Sequence, residues 1–167
     1  SGDNRDDATI ASFGDEWSVF TQSDLSPQEL EALFEKYFRI FPWERLPANA
    51  AGFDMGCGTG RWAKLVAPRV GHLHCIDPAA GALSVARANL SGVANVSFHQ
   101  ATTQAAPLPA ASCDFGYSLG VLHHIPDSVG TVTAMISLLE HGGALVSFPA
   151  PLWHARRSRV SMLVERG

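Results

Sequence analysis

From residue 50 onward, short apolar runs alternate with longer segments of helical period: AAGFDM, RWAKLVAP, HLHCID, GALSVARANL, VSFH, CDFGYSL, VTAMISLLE and GALVSFP. Runs of four to eight apolar residues read as strands, and the segments between them as helices. Such alternation predicts parallel strands joined by crossover connections, an open α/β sheet. Sheets of this kind take ligands beyond the carboxyl ends of their strands, where the strand order reverses. Ahead of this region, Ser26-Pro27-Gln28-Glu29 combines an N-cap serine, a proline at the first helical position and a glutamate at the third. That is a capping box, and it predicts a helix that carries Leu30, Leu33, Phe34, Tyr37, Phe38 and Phe41 and stops at Pro42. Asp127 is placed to cap a helix over VGTVTAMISLLE. Further upstream, Phe13, Trp17 and Phe20 are spaced to form one aromatic face, suited to packing on the domain or to covering a ligand.

With 167 residues, of which 46% are hydrophobic and 17% charged, the chain suffices for one domain with a sizeable core. We expect an acidic leader and aromatic segment over 1–25 and a single domain over 26–167. The net charge of −4 gives no support to binding along a phosphate backbone, so nucleic acid is not an expected partner. No run reaches the length of a membrane span and the opening SGDNRDDAT lacks the pattern of a signal peptide, so a cytoplasmic protein with no membrane partner is expected. The spacing of Cys57, Cys75 and Cys113 suits reduced, buried thiols rather than disulfides or a metal knuckle. Ten of the sixteen acids precede residue 45, and residues 46–150 hold only Asp54, Asp77, Asp114, Asp127 and Glu140. In so sparsely charged a region each carboxylate is a candidate for a specific task.

Two of those acids frame a glycine-rich turn. Asp54-Met55-Gly56-Cys57-Gly58-Thr59-Gly60 follows the first strand and precedes a helix, where glycines allow a sharp turn and close approach of a ligand. Asp77 lies at the end of the next strand, 17 residues after Gly60, where a carboxylate accepts hydrogen bonds from both hydroxyls of a ribose. A dinucleotide meets the same pattern, but Asp54 at the mouth of the loop opposes a pyrophosphate and suits a ligand with a cationic amine or sulfonium. The bland alternative for Asp77 is a helix N-cap.

FDMGCGTGRWA resembles the first motif of class I S-adenosylmethionine-dependent methyltransferases, and HCIDPAAGALSVARANL the second. CDFGYSLGVLHHIPD and LLEHGGALV resemble later motifs of the small-molecule group called methyltransferase type 11, similar to the quinone-biosynthesis enzymes. The resemblance spans a cofactor-binding core at about residues 50–148. It implies a Rossmann-like, mostly parallel sheet with helices on both faces and S-adenosylmethionine as cofactor, S-adenosylhomocysteine being the product. It also implies that Gly56, Cys57, Gly58 and Gly60 lie under the cofactor and that Asp54 serves its amino-acid end. Asp77 would take the ribose, Pro78 and Ala79 the adenine, and the run from Ser118 to Leu122, with Ser118, Leu119 and Gly120 foremost, would pass the methionine moiety. Where relatives often carry Gly-Asp-Ala after the third strand, this chain has Ala101-Thr102-Thr103, so Thr102 would meet the adenine amine without a charge.

Methyl transfer from a sulfonium needs alignment and exclusion of water more than a catalytic side chain. For a hydroxyl acceptor a base helps, and His123 or His124 is the candidate; the competing reading is that one packs and the other bonds the turn at Pro126-Asp127. His72 and His74 alternate on one strand face, but no third metal ligand stands near them in the sequence, and no metal is expected. RVSMLVE reads as a strand that returns antiparallel beside Ala144–Phe148, making the sheet abbreviated after its fifth strand. Arg156, Arg157 and Arg159 ahead of it suit a solvated turn or an anionic acceptor. The expected function is methyl transfer to a small-molecule acceptor. The rivals are a non-catalytic module that keeps the fold for binding and, more distantly, a dehydrogenase.

Overall fold

The computed structural model describes residues 25–148 and 162–167. The leader, the aromatic face of Phe13, Trp17 and Phe20, and the cluster of Arg156, Arg157 and Arg159 lie outside the described residues. The first element is α1 (Pro27–Tyr37), opened by the expected capping box: Ser26 N donates to Glu29 Oε2 at 2.8 Å and Glu29 N to Ser26 Oγ at 3.2 Å. The helix ends earlier than its apolar period suggests. Phe38 is its C-cap, and Phe41 lies beyond the helix directly before Pro42, which holds it out of helical backbone. Both rings turn inward all the same, Phe38 edge-on to Tyr117 at 5.2 Å and Phe41 edge-on to Phe115 at 5.8 Å.

The sheet holds β1 (Ala51–Met55), β2 (His72–Asp77), β3 (Val96–Gln100), β4 (Cys113–Leu119), β5 (Leu139–Phe148) and β6 (Met162–Glu165) in the order β3-β2-β1-β4-β5-β6. The first five are parallel, and β6 runs antiparallel to β5, with Ala144 opposite Glu165 and Ser147 opposite Met162. The connections are α2 (Ala63–Val66), α3 (Ala80–Asn89) and α4 (Ser128–Leu138). This is the Rossmann-like, mostly parallel sheet that the motifs imply, with the antiparallel last strand expected from RVSMLVE. Two connections depart from the pattern. RWAKLVAP yields only the four residues of α2 and a 3₁₀ turn at Ala67–Arg69. Leu139 and Glu140, expected in the helix, already belong to β5, where Leu139 is buried and pairs with Cys113. Asp127 caps α4 as expected, Oδ1 accepting from Gly130 N at 2.8 Å.

Two apolar layers cover the sheet. On one face Phe34, Tyr37, Phe38 and Phe41 pack on Leu73, Cys75, Phe115, Tyr117 and Val146; on the other, Met135 and Leu138 of α4 pack on Phe53, Met55, Ile76 and Leu145. β1 and β4 interlock through reciprocal glycine–phenylalanine pairs. Gly52 lies opposite Phe115 and Phe53 opposite Gly116, and each glycine leaves the space that the facing ring fills. A Cβ on Gly52 would stand 2.2 Å from Phe115 Cζ, and one on Gly116 2.1 Å from Phe53 Cζ. Since residues 52 and 53 point to opposite faces, one pair seals each layer.

Candidate functional site

The chain runs from β1 outward to β2 and β3, then returns to β4 on the other side of β1. The strand order therefore reverses between β1 and β4, and the loops after these two strands flank the crevice where ligands of open α/β sheets lie. Residues 56–60 form the first loop. Gly56 has φ +74°, and a Cβ there would stand 2.5 Å from a methyl of Val121, in the turn after β4. Only glycine meets both conditions without strain. The loop's amides are largely spent inside the protein. Gly56 N and Cys57 N donate to Ile76 O at 2.8 and 3.1 Å, Gly58 N to Asp77 Oδ2 at 2.9 Å, and Gly60 N to Cys57 O at 2.9 Å. The helix that follows the loop, α2, is only four residues long.

Asp77 is 9% exposed, and its two oxygens accept from separate loops: Oδ2 from Gly58 N and Oδ1 from Ala79 N at 2.8 Å. It is not the N-cap of α3; that position is Ala79, which makes no side-chain cap. Burial pushes the Asp77 carboxyl up, against the lowering pull of the Ala79 and Gly58 amides. Each oxygen keeps a lone pair beyond the one used, the capacity a vicinal diol needs. Ala101 N donates to Asp77 O at 3.2 Å, which sets Thr102 beside this acid, at the start of a 3₁₀ turn. Pro78 O accepts from Gln100 Nε2 at 3.5 Å, and Ala79 is buried.

Asp54 is 2% exposed, and its Oδ2 accepts from the Tyr117 hydroxyl at 2.9 Å. Burial pushes its carboxyl up to about 8; the bond from Tyr117 pulls the other way and the charge of Asp77 adds to the rise. Cys57 turns its thiol into the core against Cys75, and that contact and burial push the thiol up, so its part in the loop is played by its backbone. Cys57, Cys75 and Cys113 are all free and buried. Ser118 lies in register with Ser147, and both hydroxyls are buried without a hydrogen-bond partner among the described residues. Leu119 ends β4, and Gly120 follows with φ +74° in open space. His123 and His124 fall in a 3₁₀ turn at Leu122–His124, and the His124 side chain is exposed.

Asp54, the glycine loop, Asp77–Ala79, Thr102 and Ser118–Gly120 thus gather at the carboxyl ends of β1 to β4. Sequence reasoning passed over Tyr117. It sits within CDFGYSLGV, but its contact with Asp54 depends on the β1–β4 register. Outside the crevice, Asp114 Oδ2 accepts from Ala51 N at 2.8 Å, and Glu140 is hydrogen-bonded to Asp114, which pushes the Glu140 carboxyl up.

His72 and His74 meet a further histidine that the sequence did not place near them. His74 Nδ1 and His99 Nε2 of β3 are 3.1 Å apart, and His72 Nε2 lies 2.5 Å from Ser97 Oγ. Among the described residues, no three His, Cys, Asp or Glu side chains are arranged to hold a metal ion. Burial, with His72 and His99 alongside, pushes His74 down to about 4. The unfolded chain therefore binds the proton first as pH falls, so this stability is present above about pH 6.5 and lost towards pH 4. For a half-buried ring the loss is on the order of 1–2 kcal/mol after solvent screening. Urea denaturation at pH 7 and pH 5 checks it: the midpoint of His74→Leu is expected to fall less than that of the wild type.

A family model described as a methyltransferase domain matches residues 53–143, more than half of the chain. An uncharacterized methyltransferase of Mycobacterium tuberculosis is 32% identical over 108 residues, covering 60% of this chain and 54% of the relative. A ubiquinone biosynthesis O-methyltransferase of Methylocella silvestris is 28% identical over 161 residues, covering 87% of this chain and 62% of the relative. The chain thus spans between half and two thirds of the length of these relatives. Among solved structures, the YcgJ protein of Bacillus subtilis superposes with a TM-score of 0.60 at 24% identity, covering 71% of this chain and 48% of that one. A Haemonchus contortus phosphoethanolamine N-methyltransferase, solved with phosphoethanolamine and S-adenosylhomocysteine, gives a TM-score of 0.67 at 17% identity, over 83% of this chain and 32% of that one. The fold is that of the class I, Rossmann-like methyltransferases. The chain belongs to the methyltransferase domain family.

Proposed function

We propose that this chain binds S-adenosylmethionine and catalyses methyl transfer to a small-molecule acceptor by in-line displacement. The observation that carries the reading is the pair of buried carboxyls at the switch point. Asp77 is fixed by two backbone amides at the end of β2, and Asp54 lies beneath a loop whose amides are mostly satisfied within the protein. Few free amides and two carboxyls are a poor cradle for a pyrophosphate, but they suit a ribose diol and a cationic amino-acid end. This separates the reading from a dehydrogenase.

Asp77 would accept from the ribose hydroxyls, with Pro78, Ala79 and Thr102 along the adenine. Asp54 would serve the ammonium end, with Gly56, Gly58 and Gly60 allowing close approach and Ser118, Leu119 and Gly120 beside the methionine moiety. When bound, the cofactor supplies an electrophilic methyl group on a sulfonium together with its leaving group. The residues align and exclude water, and His123 or His124, in the turn after β4, would take the proton of a hydroxyl acceptor. The relatives in ubiquinone biosynthesis and phosphoethanolamine methylation support a small-molecule acceptor.

Isothermal titration calorimetry with S-adenosylhomocysteine tests the cofactor, and transfer from isotope-labelled S-adenosylmethionine to a panel of phenols, alcohols and amines tests the reaction. Binding with transfer is the expected result, and absence of binding overturns the proposal. Binding without transfer across the panel favours a non-catalytic module, a reading to which the uncharged Thr102 lends support.

A further inference from the structure

Tyr117 is fully buried on β4, packed edge-on against Phe38, and its hydroxyl is donated to Asp54 Oδ2 at 2.9 Å. Phenylalanine would fill the same space, and a buried hydroxyl costs stability unless it is bonded. The hydroxyl is therefore explained by Asp54. Among the described residues, the titratable groups that face Asp54 are acids: Asp77 and Cys75 from β2, Cys57 from the glycine loop and Tyr117 from β4. Burial first, then Asp54, holds the Tyr117 phenol well above its ordinary range, so it stays a donor.

We infer that Tyr117 is a positioning residue for the cofactor: its hydroxyl holds the Asp54 carboxyl beneath the glycine loop and favours the charged form that meets the ligand's ammonium group. The inference rests on the cofactor reading above. Because burial pushes the Asp54 carboxyl up to about 8, a cation that needs the carboxylate displaces its proton on binding. The bond from Tyr117 lowers that titration, so its loss moves carboxylate formation to higher pH. At neutral pH each unit of such a move leaves about tenfold less of the charged form.

The test is calorimetric titration of wild type and Tyr117→Phe with S-adenosylhomocysteine between pH 6 and 8.5. The variant is expected to bind about tenfold more weakly near pH 7, with the gap narrowing as pH rises. Superimposable profiles, or a deficit equal at every pH, overturn the inference while leaving the cofactor reading intact. Absence of wild-type binding at any pH overturns both. A measurement that needs no variant repeats the wild-type titration at pH 7 in two buffers of different ionisation enthalpy. Release of about one proton per ligand is expected, and no release overturns the inference.

Discussion

Asp77→Ala is expected to weaken S-adenosylhomocysteine binding by about 100-fold or more, measured by calorimetry at neutral pH. A buried carboxylate that receives two ribose hydroxyls makes two charge-assisted hydrogen bonds, each worth about 1.5–3 kcal/mol. Removing it also strands the Gly58 and Ala79 amides that it now accepts from, so the loops after β1 and β2 lose their shared anchor. Asp77→Asn keeps one acceptor oxygen and is expected to fall between wild type and alanine. Because the stranded amides also cost stability, affinity is compared at a temperature where circular dichroism shows the variant folded, and Asp77→Asn, which keeps an acceptor for one amide, separates the two losses. Undiminished binding by Asp77→Ala would remove the ribose role.

The gathering of Asp54, the glycine loop and Asp77 at the strand ends was legible in the sequence because its determinants are local. The Asp54–Gly60 loop and Asp77 sit at strand ends marked by apolar runs, and Ser26 and Asp127 announce their helices through caps three residues long. The antiparallel last strand was legible from the alternation of Met162 and Val164 and from the short return before it. What escaped depends on register between segments far apart in the chain. Tyr117 meets Asp54 across 63 positions, and His99 meets His74 across 25. A one-residue slip of β4 on β1 would send Tyr117 to the opposite face, and nothing in CDFGYSL by itself fixes that choice. Leu139 and Glu140 escaped for a related reason: their apolar period continues α4, but pairing of Leu139 with Cys113 draws them into the sheet.

The largest effect on stability is expected at Gly116. A Cβ there would stand 2.1 Å from Phe53 Cζ, in a layer where Phe53 is wholly buried and cannot swing into solvent. Overpacking a close-packed core costs about 1–3 kcal/mol for Gly116→Ala, and more for Gly116→Val. At roughly 2–4 °C per kcal/mol for a chain of this size, the alanine variant should melt several degrees lower. Gly81→Ala is the opposite control. Gly81 is exposed in α3 with nothing within 4 Å of an added Cβ, so the change should raise stability by about 0.5–1 kcal/mol through helix propensity alone. Shortening the facing ring, as Phe53→Leu combined with Gly116→Ala, is expected to recover part of the loss, and a double-mutant cycle measures the coupling.

The close approach of Gly56 to Val121 joins the loop proposed to lie under the cofactor to the turn that carries His123 and His124. Two ligands that each press on one side of such a contact share a single coupling free energy. Whatever factor the cofactor applies to the affinity for an acceptor lodged against the second turn, the acceptor must return to the cofactor. Measuring cofactor affinity with and without a trial acceptor therefore ranks acceptors by their grip on this turn, before any transfer is observed.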